Sequence, residues 1–128
     1  MNDDLKKDPR FANATSYVMD SYIKFIECAG GRAVPLLYDD PIDVTFKKME
    51  KLNGVFYCGG DADEDDKYYE FGKAVFFKAI EYNDKGSYYP VWGTCLGEEE
   101  FVMFIAGGKH VRGRHERYKS NDPMKFIV

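Results

Sequence analysis

One short stretch constrains the fold of this chain most strongly. An apolar run at residues 88–92 is followed by two glycines that bracket a cysteine, Gly93-Thr94-Cys95-Leu96-Gly97. The run predicts a buried strand, and apolar residues at helical spacing over 101–105 predict a helix. Strand, sharp turn and helix together form a nucleophile elbow. Such a turn exposes the Cys95 side chain at the carboxyl end of the sheet, where a helix N-terminus favours a thiolate and an oxyanion.

Predicted helices and strands alternate along the rest of the chain. The apolar patterns place helices near 15–29, 41–52, 67–82 and 97–106, and strands near 32–37, 54–57 and 88–92. We expect Thr15 or Ser16 to cap the first helix, and Asp40 to cap the second with Pro41 at its first position. Alternating elements with short connections predict a parallel sheet covered on both faces. The strand at 88–92 is expected beside the strand at 54–57.

Composition excludes several classes of function. A chain of 128 residues is a single domain, and its net charge of −4 argues against a nucleic-acid surface. The apolar runs are too short to cross a bilayer. Three cysteines without a CxxC pair or a His–Cys cluster predict neither a disulfide framework nor a metal site. The acidic run at 61–66 lacks the glycine and glutamate of a calcium-binding loop. No metal and no cofactor are predicted.

The flanks of the elbow carry a resemblance to a known family. Tyr-Pro-Val-Trp-Gly-Thr-Cys-Leu-Gly followed by Glu-Glu resembles the active-site segment of the gamma-glutamyl hydrolases, folate-polyglutamate hydrolases of the class I glutamine amidotransferase-like superfamily. Residues 16–35 are similar to the family's first helix and second strand, and residues 54–60 to its Gly-hydrophobic-Phe-Pro-Gly-Gly segment.

The resemblance covers about residues 14–106, between a polar arm at 1–13 and a basic tail at 109–128. It implies one partial domain over 1–128 of the α/β class: a flavodoxin-like three-layer sandwich with a mainly parallel sheet. The sandwich is incomplete, because the family's first strand and its C-terminal half have no counterpart in the sequence.

The resemblance also implies a set of site residues. Cys95 is the expected nucleophile, and the backbone N–H groups of Gly59 and Leu96 are the expected oxyanion hole. The supporting residues of the elbow and the neighbouring loop are Gly60, Gly93, Gly97 and Glu99. Two positions depart from the family: Cys58 stands in place of a proline, and Glu98 in place of an aromatic residue. A carboxylate this close to the thiol disfavours the thiolate.

No catalytic base is predicted in this chain. The family's histidine lies in a segment similar to Gly-Val-Gln-Trp-His-Pro-Glu, whereas neither His110 nor His115 is followed by Pro-Glu. The basic tail that holds both histidines is interpreted as a solvated face rather than as a site for an anionic substrate. We therefore expect the 128-residue chain alone to be inactive.

Two functions stay open. One is a cysteine-type gamma-glutamyl hydrolase, an omega peptidase whose small-molecule substrates are folyl or antifolate polyglutamates. The other is a catalytically inactive homologue that acts as a structural or interaction subunit, with a protein partner covering the incomplete sheet. Neither involves nucleic acid or a membrane. The family implies a lysosomal, vacuolar or secreted location, but the N-terminus shows no apolar signal-peptide core, so the compartment is not predicted.

Overall fold

The computed structural model describes residues 7–11, 13–14, 16–60 and 67–107. A short 3-10 turn, Pro9–Phe11, precedes the longer elements. These are α1 (Asp20–Cys28), α2 (Ile42–Met49), β1 (Val55–Tyr57), α3 (Lys67–Asp84), β2 (Val91–Gly93) and α4 (Leu96–Ile105). The acidic run at 61–66 and the basic tail, with both histidines, lie outside the described residues. The alternation of helices and strands confirms the predicted α/β class.

The two strands are parallel neighbours, as the sequence predicts. Phe56 lies opposite Trp92, and Tyr57 lies opposite Gly93. A parallel pair needs a long crossover connection, and the 18-residue helix α3 supplies it. Because parallel strands end at the same edge of a sheet, the chain segments that follow β1 and β2 emerge side by side.

Helices cover both faces of this small sheet. Side chains alternate along a strand, so Phe56 and Tyr57 point to opposite faces. The Phe56 ring lies 5.6 Å from the ring of Tyr22 in α1. The Tyr57 ring lies 5.0 Å from Phe101 and 6.4 Å from Phe104 in α4. The arrangement is therefore three-layered, with α1 on one face and α3 and α4 on the other. The second face holds the buried core: Met49, Tyr57, Tyr69, Val75, Phe76, Ala79, Tyr89, Met103 and Phe104.

The strand predicted at 32–37 is wrong, because this segment is irregular in the structure. Its apolar side chains Val34 and Leu37 are 43% and 42% exposed. In the flavodoxin strand order 2-1-3-4-5 the second strand pairs only with the first. The described residues before α1 contain no strand that could serve as this first strand. Segment 32–37 therefore has no neighbouring strand with which to form backbone hydrogen bonds. Pro35 weakens the segment further because it lacks a backbone donor.

The first helix starts later than predicted. It begins at Asp20, and its N-cap residue Met19 makes no side-chain capping bond. Ser16 therefore does not cap it, and Thr15 lies outside the described residues. Val18 and Met19 are about half exposed, at 47% and 54%. An earlier helical turn would gain little packing, and packing rather than propensity stabilises most helices.

The predicted Asp40 cap of the second helix is also wrong. The N-cap residue is Pro41, whose carbonyl accepts bonds from the N–H groups of Val44 and Thr45. The Asp40 carboxylate instead accepts a hydrogen bond from Lys48 Nζ at 2.6 Å. An ion pair with the body of the helix replaces the expected cap.

The elbow strand is shorter than the apolar run suggested and begins at Val91. Tyr88 is 87% exposed. Tyr89 is buried, but its bonds go to helices rather than to a strand. Its N–H donates to Asn83 Oδ1 at 3.0 Å, and its hydroxyl donates to the Met49 carbonyl at 3.2 Å. Burial in this segment therefore comes from contacts with the ends of α2 and α3.

Candidate active site

Cys95 occupies a sharp turn between β2 and α4. Its backbone has φ 56° and ψ −118°, and no other non-glycine residue of the described segments has a positive φ. Such a conformation costs an L-residue on the order of 1–3 kcal/mol and persists only where the surrounding structure enforces it. The Cys95 side chain is exposed. The backbone therefore forms the predicted elbow.

Two glycines let the elbow pack closely. A Cβ on Gly93 would lie 2.6 Å from the carbonyl carbon and oxygen of Gly97. A Cβ on Gly97 would lie 2.6 Å from the Cβ and the backbone oxygen of Tyr57. Both distances are too short for real atoms, and the obstructing groups include backbone that cannot move aside. Gly60 differs, because a Cβ there would meet only Leu96 Cδ2 at an ordinary 3.6 Å.

We expect Gly97→Ala to lower the free energy of unfolding by about 1–3 kcal/mol, because the added methyl group must push α4 away from β1. Gly60→Ala is the matched control, and its effect should stay within about 0.5 kcal/mol. Urea denaturation of both variants measures the difference. Equal stabilities would show that α4 does not lie against β1 at Gly97.

Tyr57 supports the elbow from β1. Its hydroxyl donates to the Gly72 carbonyl in α3 at 2.7 Å, and its carbonyl accepts the N–H of Thr94 at 3.1 Å. Burial, and then the charge of the nearby Glu100, raises the pKa of Tyr57, so its hydroxyl remains a donor at neutral pH. Tyr57 thus connects β1 with α3 and with Thr94, the residue before Cys95. It also contacts Gly97.

The two candidate oxyanion donors differ in availability. Leu96 is the first residue of α4, so its N–H has no acceptor within the helix. Gly59 lies beside the elbow, because a Cβ placed on it would be 3.1 Å from Cys95 Cβ. Its N–H, however, donates to the hydroxyl of Tyr22 at 3.0 Å. In the structure Gly59, Leu96 and Cys95 lie close together. The Tyr22 hydroxyl already accepts the hydrogen bond of one of the two candidate donors, the Gly59 N–H.

Sequence reasoning missed Tyr22 as a residue of this site. The apolar periodicity of α1 assigns it to the face that packs on the sheet, and its ring does contact Phe56 there. Its hydroxyl nevertheless reaches the loop after β1, 37 residues further along the chain. The only signal in the sequence was a hydroxyl-bearing ring within an otherwise apolar stripe.

The three cysteines occupy different electrostatic environments, and all are free thiols. Cys95 is the N-cap of α4, at the end where the helix presents free backbone N–H donors. Cys28 is exposed at the C-terminal end of α1, where the backbone presents carbonyl groups rather than N–H donors. Burial raises the pKa of the Cys58 thiol. Two carboxylates, Glu98 and Glu99, lie in the first turn of α4.

Within the described residues, no group of His, Cys, Asp and Glu side chains has the arrangement of a metal site. No helix in this part of the chain combines the length and apolarity needed to cross a membrane.

Comparison with known proteins identifies the family of the chain that contains the elbow. The peptidase C26 family model matches residues 1–123, nearly the whole chain. This chain belongs to the peptidase C26 family. The match includes both strands, all four described helices and the elbow.

Several curated relatives of this peptidase C26 chain are gamma-glutamyl hydrolases. Gamma-glutamyl hydrolase 1 of Arabidopsis thaliana is 39% identical over 120 residues, 92% of this chain and 34% of the relative. The Mus musculus gamma-glutamyl hydrolase is 42% identical over 93 residues, 71% of this chain and 29% of the relative. The Homo sapiens gamma-glutamyl hydrolase is 38% identical over 95 residues, with the same two shares. The chain spans about a third of the length of the curated relatives it matches.

Proposed function

We propose that this peptidase C26 chain supplies the nucleophile side of a cysteine hydrolase that cleaves γ-glutamyl amide bonds in folyl polyglutamates. The observation that carries the proposal is the strained turn of Cys95 at the N-terminus of α4, beside the Gly59 loop. Relatives named gamma-glutamyl hydrolase support the choice of bond.

In the proposed reaction the Cys95 thiolate attacks the γ-carbonyl carbon of the substrate. A C–S bond forms, and the carbonyl electron pair moves to oxygen. The Leu96 N–H donates to this oxyanion. Collapse of the tetrahedral intermediate breaks the C–N bond, and the leaving amine takes a proton from a general acid. The products are a thioester at Cys95 and free glutamate or a glutamyl peptide, and water then hydrolyses the thioester.

The second oxyanion donor in this proposal is the Gly59 N–H, which must exchange the Tyr22 hydroxyl for the substrate oxygen. We assign Gly93 and Gly97 to close packing of the elbow, and Gly60 to the loop beside it, next to Leu96. We assign Glu99 a structural role in the first turn of α4, where its N–H donates to the Cys95 carbonyl at 3.1 Å.

The general base of the proposed reaction lies outside the described residues. Both histidines of the sequence, His110 and His115, are in the undescribed tail, and neither has the Pro-Glu context of the family's base. We infer that a His-Pro-Glu segment on additional polypeptide supplies the proton transfer.

Thiol reactivity tests the assignment of Cys95. We expect a substoichiometric alkylating agent to label Cys95 first, Cys28 second and Cys58 last. Cys95 is exposed at a helix N-terminus, Cys28 is exposed at a helix C-terminus, and the half-buried Cys58 has a raised pKa. Peptide mapping after brief labelling gives the order. Faster labelling of Cys28 or Cys58 would remove the ground for an activated thiol at the elbow.

A second candidate function is that of a non-catalytic interaction subunit. The observation that favours it is the exposed apolar surface around a sheet of only two described strands. Phe25, Trp92 and Ile105 are 57%, 59% and 74% exposed. Such a surface is typical of a protein interface. Stable association with a second polypeptide without any γ-glutamyl hydrolysis by the complex would favour this function over the first.

A further inference from the structure

A second thiol lies beside the elbow. Cys58 is the residue that follows β1, and Cys95 lies at the turn that follows β2. Because the two strands are parallel, both cysteines are found at the same edge of the sheet. Both thiols are free in the structure, where Cys95 is exposed and Cys58 is half-buried. The proposed hydrolysis uses Cys95 and gives Cys58 no part.

The residues on either side of Cys58 both contact the elbow. On one side, the Tyr57 carbonyl accepts the N–H of Thr94 at 3.1 Å. On the other side, a Cβ placed on Gly59 would lie 3.1 Å from Cys95 Cβ. The parallel register of the two strands therefore continues as far as Gly59 and Cys95. Cys58 is displaced from Cys95 by one residue along this register.

This displacement fits the geometry of a disulfide bond. Neighbouring strands lie about 4.8 Å apart, and one residue advances an extended chain by about 3.3 Å. On this spacing the Cα atoms of Cys58 and Cys95 are about 6 Å apart, within the range of about 4.4–6.8 Å that disulfides usually span. Formation of the bond requires the Cys58 thiol to turn towards the elbow. Gly59 and Gly60, which follow it, give the loop the backbone freedom for this turn.

The third thiol lies further from the elbow. Cys28 is the last residue of α1, whereas Tyr22, whose hydroxyl accepts the Gly59 N–H, lies in its first turn. A helix rises about 1.5 Å per residue, so Cys28 is about 9 Å along α1 from Tyr22. Between them, Phe25 contacts the ring of Phe56 in the middle of β1, at 5.8 Å. The helix therefore carries Cys28 towards the other end of the sheet.

We propose that Cys58 and Cys95 form a reversible disulfide under oxidising conditions, and that this bond blocks the nucleophile of the elbow. The inference rests on the proposed function and adds a redox control to the same site. Cys58 stands where the gamma-glutamyl hydrolase pattern has a proline, so the pair of thiols is a feature of this chain rather than of that pattern.

The oxidant in this proposal is hydrogen peroxide. The exposed Cys95 reacts first: its thiolate attacks a peroxide oxygen, an S–O bond forms, and the O–O bond breaks to release hydroxide. The Cys58 thiolate then attacks the sulfur of this sulfenic acid, so that an S–S bond forms and the S–O bond breaks to release a second hydroxide. The two hydroxides take up the two thiol protons. Two thiols thereby lose two electrons, and one peroxide is reduced to two waters.

The test follows the disulfide itself rather than hydrolysis. The full 128-residue chain is treated with hydrogen peroxide, blocked with an alkylating agent and cleaved with trypsin. Cleavage after lysine and arginine leaves each cysteine on a different peptide, so mass spectrometry of the unreduced digest identifies the two that are joined. We expect the loss of two of the free thiols and a joined pair of the Cys58 and Cys95 peptides, which dithiothreitol separates.

Variants identify the second thiol of the pair. Cys58→Ser and Cys58→Ala should both lose the crosslink, and two different replacements guard against misfolding of either one. Without Cys58, excess peroxide should carry Cys95 on to the sulfinic acid, which dithiothreitol does not reverse. Cys28→Ser is the matched control and should form the crosslink as the parent does. A Cys28–Cys95 pair, a disulfide between two chains, or equal sulfinic acid at Cys95 with and without Cys58 would overturn the proposal.

The outcome is separable from that of the proposed function. A crosslink between Cys58 and Cys95 in a chain that never supports hydrolysis in any longer polypeptide would overturn the γ-glutamyl hydrolase assignment alone. Hydrolysis by a longer polypeptide that hydrogen peroxide does not inhibit, or that dithiothreitol does not restore after inhibition, would overturn the redox control alone.

Discussion

Cys95→Ala is expected to lower γ-glutamyl hydrolysis by about 10⁴- to 10⁶-fold, the range found when a covalent nucleophile is removed. The effect is best measured in a polypeptide that joins residues 1–128 to the part of Arabidopsis thaliana gamma-glutamyl hydrolase 1 that follows the matched segment. That part is expected to bring a His-Pro-Glu segment. In the proposed mechanism Cys95 is the thiol that forms the thioester. The measurement is the initial rate of glutamate release from a folyl polyglutamate.

The other two thiols provide matched controls for this loss. Cys28→Ala and Cys58→Ala remove an exposed and a half-buried thiol outside the elbow. Each should keep the rate within about tenfold of the parent, because neither thiol takes part in the proposed reaction. A Cys95→Ala polypeptide that keeps most of its activity, or a Cys58→Ala polypeptide that loses it, would move the nucleophile away from the elbow.

The sequence predicted the elbow well because its determinants are local. Five consecutive residues, 93–97, contain the two glycines that permit close packing and the cysteine that takes the strained backbone. The adjacency of β1 and β2 was also predictable, since two buried runs joined by one amphipathic helix form a parallel pair.

The failures of prediction depend on contacts between distant residues. Segment 32–37 has the composition of a strand, but a strand requires a neighbour, and the described residues provide none. Tyr22 has the periodicity of a core residue, yet its hydroxyl accepts a bond from Gly59, which no local pattern could reveal. Tyr89 has the burial expected of a strand residue but bonds to helices instead. In each case the sequence indicated correctly that the side chains are apolar or aromatic. It did not indicate which residues they contact.

The second large effect concerns the 128-residue chain by itself. We expect it to hydrolyse folyl polyglutamates at least about 1,000-fold more slowly than the joined polypeptide, because removal of a catalytic base commonly costs this much or more. Neither histidine has the expected Pro-Glu context, and Glu98, in the first turn of α4, stands where the family has an aromatic residue.

A single assay tests most directly whether this chain is the nucleophile side of a two-part site. Folyl polyglutamate cleavage is measured for the 128-residue chain, its Cys95→Ala variant, its His110→Ala/His115→Ala double variant and the joined polypeptide with and without Cys95→Ala. The predicted result is negligible turnover by every form of the short chain and turnover by the joined polypeptide that Cys95→Ala abolishes. Rapid turnover by the short chain, lost in both Cys95→Ala and the double histidine variant, would contradict the proposal and make this chain a self-sufficient Cys–His hydrolase.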